Sequence, residues 1–120
     1  MDKITLVLGA SLKPERYSNK AVHALVDKNH SVMAFGLRVG NIRGVEVQNR
    51  LPLKLAIDTV TLYVNASRQK EYYSYLVDLK PRRVIFNPGT ENFELISILE
   101  KEGIITEIAC TLILLSIGNY

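Results

Sequence analysis

The chain has 120 residues, 48% of them apolar and 22% charged, with a formal net charge of +3 and an isoelectric point near 9.1. That length fits one compact domain over residues 1–120 and leaves too little core for a second, and the apolar content excludes intrinsic disorder. The mild basic excess suits a polyanionic small molecule, whereas Lys and Arg scattered among acids lack the basic stripe with exposed aromatics that nucleic-acid binding calls for.

Cys110 is the single cysteine, so an internal disulfide is excluded. No apolar run can span a bilayer; the longest, Ile108 to Ile117, is interrupted by Thr111 and Ser116. Met1-Asp2-Lys3 leads into Ile4-Thr5-Leu6-Val7-Leu8, too short for a signal sequence and without a clear cleavage site. The expected location is the cytoplasm, away from membranes.

Ile4 to Leu8, closed by Gly9, reads as a buried parallel strand. Ser18 to Lys28 reads as a helix with Ala21, Val22, Leu25 and Val26 on one face, Ser18 as N-cap and Tyr17 stapled to Val22. Asn29 can take the left-handed conformation that ends it. Ser31 to Phe35 is the second strand and stops at Gly36. Leu37 to Gly44 is turn-rich, and Val45 to Gln48 reads as a short edge strand. Thr59 to Val64 is a strand rich in β-branched residues. Gln69 to Leu79 is a helix burying Tyr72, Tyr73, Leu76 and Val77. Arg83 to Phe86 is a strand ended by Asn87-Pro88-Gly89. Glu91 to Glu102 is a helix stopped by Gly103, Ile104 to Glu107 is a last strand, and Cys110 to Leu115 packs as a final helical turn or two. Strands and helices alternating through short connections give right-handed crossovers: an α/β fold, three-layer, Rossmann-like and doubly wound, with a mostly parallel sheet and helices on both faces.

Such sheets bind ligands at the carboxyl ends of their strands, near the point where strand order reverses. The first post-strand loop, Gly9-Ala10-Ser11-Leu12-Lys13-Pro14-Glu15-Arg16-Tyr17-Ser18, sets a glycine after the strand and a helix N-terminus beyond it, an arrangement that favours a phosphate. Ser11, Arg16 and Ser18 add side-chain donors. The G-x-G-x-x-G fingerprint is absent, with Ser11 and Pro14 at its second and third glycines, which weakens an NAD reading and leaves a plain turn open. At the second strand's exit stands Gly36-Leu37-Arg38. An arginine where NAD enzymes carry an acid favours a phosphorylated ribose, in NADP or coenzyme A; a solvated surface arginine is the plainer alternative.

Asn87-Pro88-Gly89-Thr90 sets a flexible glycine before a helix, with Thr90 as an N-cap, and reads either as a ligand loop or as a structural turn. Asn65 can donate to a ligand amide or satisfy its own turn. Cys110 lies past the last strand, where its thiol can meet a ligand thiol or serve as a small buried hydrophobe. His23 and His30 sit apart from any acid cluster, and no metal-ligand spacing is present. No nucleophile–histidine–acid arrangement stands out, so no catalytic residue is assigned.

Three segments in order, Gly9-Ala10-Ser11…Pro14-Glu15-Arg16-Tyr17-Ser18…Ala21-Val22, then Asn87-Pro88-Gly89-Thr90-Glu91-Asn92, then Glu107-Ile108-Ala109-Cys110-Thr111-Leu112, resemble the small CoA-binding domain proteins. These in turn resemble the nucleotide-binding domain of the succinyl-CoA synthetase alpha subunit. The resemblance implies coenzyme A, or an acyl-CoA, lying across the strand ends. It implies a first binding loop of Gly9, Ala10, Ser11, Arg16, Tyr17 and Ser18. Gly36, Leu37 and Arg38 would then face the adenosine, and Asn65, Asn87, Pro88, Gly89 and Cys110 the rest of the ligand. The second-strand exit, Phe35-Gly36-Leu37-Arg38, departs from the proline-containing segment common in such proteins, and Asn29 stands where a glycine is common. The synthetase's phosphohistidine domain has no counterpart, so ligase activity is not inherited. Three readings follow: a non-catalytic CoA or acyl-CoA binder, an NADP enzyme or sensor, and a protein-interaction module with a vestigial nucleotide site whose partner is unknown.

Overall fold

The computed structural model describes residues 3–53 and 56–120. Ile4–Leu8 (β1) is the central strand. Ser31–Phe35 (β2), Gly40–Ile42 (β3), Val45–Gln48 (β4), Ile57–Leu62 (β5), Arg83–Phe86 (β6) and Ile105–Ile108 (β7) complete a seven-stranded sheet in the order β3-β4-β2-β1-β5-β6-β7. Every pairing is parallel except β3 with β4. From β1 the chain builds outward through β2 to β4 and β3, then crosses back to lay β5, β6 and β7 on the other side. Strand order therefore reverses at β1, where the ends of β2 and β5 diverge and a crevice opens.

The helices are Tyr17–Asp27 (α1), Ala66–Gln69 (α2), Tyr73–Leu79 (α3), Phe93–Lys101 (α4) and Thr111–Ser116 (α5), with a 3₁₀ turn at Lys70–Tyr72. Alternation along the strands sends side chains to two faces. Val7, Ala34 and Val47 pack on one face with Val22 and Leu25 of α1 and Leu115 of α5. Leu6, Leu8, Val60, Leu62, Val84 and Phe86 pack on the other with Tyr72, Leu76 of α3, and Leu95 and Leu99 of α4. The result is the three-layer, Rossmann-like architecture expected of the pattern.

Several elements differ from the reading of their local sequence. The stretch taken as turns contains β3, which makes β3 the sheet edge and places Val45–Gln48 inside it, between β3 and β2. The hairpin turns on Arg43 (φ 53°) and Gly44 (φ 84°), two left-handed residues in succession, as a tight two-residue turn requires. Asn41 Oδ1 accepts the Gly44 N–H at 2.9 Å to hold it. Strand β5 runs from Ile57 to Leu62 rather than from Thr59 to Val64. The expected helix from Gln69 is entered earlier, at Ala66, and broken by the 3₁₀ turn. Helix α1 begins at Tyr17 with Arg16 at its N-cap, so Ser18 caps nothing. Nor is there a staple: Tyr17 is 68% exposed while Val22 is fully buried. Asn92, not Thr90, caps α4, accepting the Leu95 N–H. Asn29 does end α1 in the left-handed region, at φ 63°. Among the described residues no helix is long and apolar enough to cross a membrane.

Candidate functional site

At the carboxyl ends of β1, β2 and β5 a cleft of about 370 Å³ opens. Gly9, Ala10 and Ser11 lie at the end of β1, Gly36, Leu37 and Arg38 at the end of β2, and Tyr63, Val64, Asn65 and Arg68 beyond β5. Leu12, Lys13, Arg16, Phe35 and Tyr72 complete the lining.

Two glycines set its shape. Gly9 has φ +104°, and a Cβ there would fall 2.9 Å from Val64 Cγ2 and 3.0 Å from the Tyr63 carbonyl carbon. A Cβ on Gly36 would drive into the carbonyl oxygen of Ala10. The end of β1 is thus pressed against the exits of both neighbouring strands, and only hydrogen fits at these positions.

Several backbone donors of this loop bond within the protein. The N–H groups of Gly9 and Ala10 both bond Phe35 O, at 2.9 and 2.8 Å. Ser11 N–H donates to Ser18 Oγ at 3.1 Å, and Lys13 N–H to Ser11 Oγ at 3.2 Å. Asn19 Nδ2 donates to Ser11 O at 2.9 Å, and the Gly36 N–H bonds Gln48 O at 2.9 Å. Gly9 thus has a packing role at the end of β1.

Positive charge at the cleft comes from side chains. Among the described residues Lys13, Arg16, Arg38 and Arg68 line the cleft, and no Asp or Glu does. Among the described residues none of the four is held in an ion pair, the bridges being Arg43–Asp27, Arg82–Asp58 and Arg83–Glu107. Four cations converging on one crevice raise a positive potential that a polyanion relieves.

The wall after β5 is tied in place. Asn65 Oδ1 accepts from Arg68 N–H at 3.1 Å and from Ser67 Oγ at 2.8 Å, so its carbonyl caps α2 and its Nδ2 is the donor it can offer a ligand. Gln69, fully buried, donates through Nε2 to Val64 O at 2.8 Å and to Thr90 O at 2.7 Å. It thereby locks the cleft wall to the turn after β6. Burial pushes the Tyr63 phenol up to about 12, against hydrogen bonding with Thr111 and Thr61, so it stays neutral near physiological pH.

The structure brings Gly9, Ala10, Ser11, Arg16, Gly36, Leu37, Arg38 and Asn65 to this one cleft. The other anticipated residues stand elsewhere. Tyr17 is exposed beside Lys20, whose Nζ lies 5.4 Å from its ring. Ser18 is buried and bonded to Ser11 N–H. Asn87 is buried, with Nδ2 donating to Thr61 Oγ1 at 2.6 Å and Leu62 O at 2.9 Å, and Oδ1 accepting from Thr111 N–H at 2.9 Å. Pro88 and Gly89 are exposed in the β6–α4 turn, and Cys110 is half-buried ahead of α5. Lining residues not anticipated include Lys13, Tyr63, Arg68 and Tyr72. Lys13 was within reach, being a cation in the first post-strand loop; the tyrosines carried no local signal. Among the described residues no group of three or more His, Cys, Asp or Glu could hold a metal ion.

The family model of the CoA binding domain matches residues 3–116. The chain belongs to the CoA binding domain family. Among solved structures, an uncharacterized protein is 43% identical, with a TM-score of 0.95, 100% of this chain covered and 99% of that one. Cell-free ID.343 from Thermus thermophilus has a TM-score of 0.87 at 21% identity, with 99% of this chain and 91% of that chain covered, a likeness of fold. The dinucleotide-forming acetyl-coenzyme A synthetase 1 of Ca. Korarchaeum cryptofilum shares the fold at 13% identity and a TM-score of 0.72, over 87% of this CoA binding domain and 25% of the synthetase chain. The search of curated proteins returned no match.

Proposed function

We propose that residues 1–120 act as one domain that binds coenzyme A or an acyl-CoA, without catalysing a reaction on it, in the cleft at the carboxyl ends of β1, β2 and β5. The observation that carries this reading is the convergence of Lys13, Arg16, Arg38 and Arg68 on a crevice whose lining, among the described residues, contains no acid. Coenzyme A carries a pyrophosphate and a ribose 3′-phosphate, and arginine is well suited to such groups through charge-assisted, bidentate bonds. Arg38, at the exit of β2, serves the 3′-phosphate. Lys13 and Arg16, in the β1–α1 loop, serve the pyrophosphate. Leu37 and Phe35 offer apolar surface to the adenine, and Asn65 Nδ2 can meet an amide of the pantetheine arm.

The cleft's composition also favours binding over chemistry. Among the described residues its lining holds no His, Cys, Asp or Glu, and its half-buried phenol, Tyr63, keeps its proton to about 12. General acid–base work at neutral pH needs a group that exchanges a proton near that pH.

Calorimetric titration with CoA, 3′-dephospho-CoA and NADP tests the proposal. Saturable binding of CoA, weakened when the 3′-phosphate is missing, supports it. Binding of NADP without CoA would replace it with a dinucleotide function. Silence with all three would overturn it in favour of a protein-interaction role.

A further inference from the structure

The carboxyl edge of the sheet is electrically divided. Its β2–β1–β5 half carries Lys13, Arg16, Arg38 and Arg68. The exits of β6 and β7 differ: from Asn87 to Tyr120 the sequence holds one Lys or Arg, Lys101, and the acid at the β6–α4 turn is Glu91, since Glu100 and Glu102 share the far end of α4 with Lys101 and Glu107 is paired with Arg83. Lys101 ends α4, and Asn92 caps its start beside the β6 exit, so this cation stands at the far end of the helix from the β6–α4 turn.

That turn adjoins the cleft. One amide nitrogen, Gln69 Nε2, holds the carbonyls of both Val64 in the cleft wall and Thr90 in the turn, at 2.8 and 2.7 Å. The turn has already taken a carboxylate of its own: the Gly89 N–H donates to Glu91 Oε1 at 2.9 Å, and the Thr90 N–H bonds Asn87 O at 2.9 Å. The residue following Asn92 is Phe93, 75% exposed.

Resting on the CoA reading above, we infer that the domain takes thioesters of neutral, apolar acyl groups and discriminates against acyl groups that end in a carboxylate. Phosphates anchored in the cationic half direct the uncharged pantetheine arm across β5 toward the β6–α4 turn. The acyl group then meets Glu91 and the exposed Phe93 ring. An apolar chain gains contact with the ring. A terminal carboxylate finds no Lys or Arg in residues 87–100 to pair with, meets Glu91 instead, and finds the Gly89 N–H occupied.

The test titrates the protein with CoA, butyryl-CoA and succinyl-CoA at low ionic strength, and repeats the series with Glu91→Gln and Glu91→Lys. Butyryl-CoA is expected to bind about fivefold or more tightly than succinyl-CoA, the scale of one unrelieved like-charge contact near a surface. The gap between the two acyl-CoAs should narrow in Glu91→Gln and close or invert in Glu91→Lys, each read against the affinity of the same variant for CoA itself, which takes out the general effect of the charge change on the phosphates. Succinyl-CoA binding as tightly as butyryl-CoA, or a gap indifferent to both substitutions, would overturn the inference and leave CoA binding intact. Absence of CoA binding in the unaltered protein would instead overturn the reading beneath it, and this inference with it.

Discussion

The side-chain oxygen of Asn87 accepts the backbone N–H of Thr111 at 2.9 Å, joining the end of β6 to the first residue of α5. Its Nδ2 reaches the other way, to Thr61 Oγ1 and Leu62 O on β5. Thr61 Oγ1 is itself 2.7 Å from Thr111 Oγ1. Asn87 is thus a buried tie between two strands and a helix, all its bonds made within the protein.

Asn87→Ala should therefore act on stability first. It leaves the Thr111 N–H and the Leu62 carbonyl short of a partner in a buried site, which costs about 2–4 kcal/mol. Urea denaturation followed by circular dichroism should show the midpoint fall with little change in slope. A neutral effect on stability coupled to a loss of ligand affinity would reverse the assignment and return Asn87 to the ligand.

Arg38→Ala should weaken CoA more than 3′-dephospho-CoA, by about 1.5–3 kcal/mol, the worth of a charge-assisted contact. Arg38 is an exposed residue at the rim of the cleft, so the loss should shrink as salt is added. Equal losses for both ligands, measured by calorimetry, would remove Arg38 from the 3′-phosphate.

Gly36→Ala should damage the site through the backbone. The new Cβ runs into the carbonyl oxygen of Ala10, and the loop it would displace is fixed by the paired bonds of Gly9 and Ala10 to Phe35 O. Relief demands that β1 and β2 separate at their ends, at a cost of about 1–3 kcal/mol. Thermal melts should show lowered stability, and CoA affinity should fall even though no side-chain contact has been removed.

Alkaline pH should loosen the fold. Burial favours the neutral phenol of Tyr63 and raises it to about 12, above the value near 10 of a tyrosine in an unfolded chain. Folding holds that proton more tightly than the unfolded state does, so its stabilisation is complete below about pH 10 and is lost as pH rises through about 12. Tyr75, raised to about 12 by burial as well, adds to the same decline. Urea midpoints measured from about pH 8 upward should hold steady and then drop above about pH 10. Tyr63→Phe should flatten part of the drop; an unchanged profile would take Tyr63 out of it.

What the sequence determined by itself was the alternation of strands and helices and the cationic loops. Those signals are local: Ile4–Leu8 and Arg83–Phe86 are short apolar or β-branched runs stopped by turn residues, and Asn29 and Gly103 end helices by taking left-handed backbone. The family resemblance lay in the same loops, and the family match confirms it. Strand β3 escaped because Gly40–Ile42 is too short for a periodic pattern and its turn uses Arg43 rather than an asparagine. Tertiary structure alone decided which polar side chains line the cleft and which bond within the protein. Ser18 and Asn87 have the chemistry of ligand donors and sit in post-strand loops, yet Ser18 Oγ accepts from Ser11 N–H in its own loop and Asn87 bonds Thr61 and Thr111, both distant in the chain. Tyr63, Arg68 and Tyr72 entered the cleft for the complementary reason: strand order sets β5 beside β1 at the point of reversal, so the segment leaving β5 lines the crevice that Gly9 opens. A buried donor must find an acceptor somewhere, and where it finds one is a property of the packed chain.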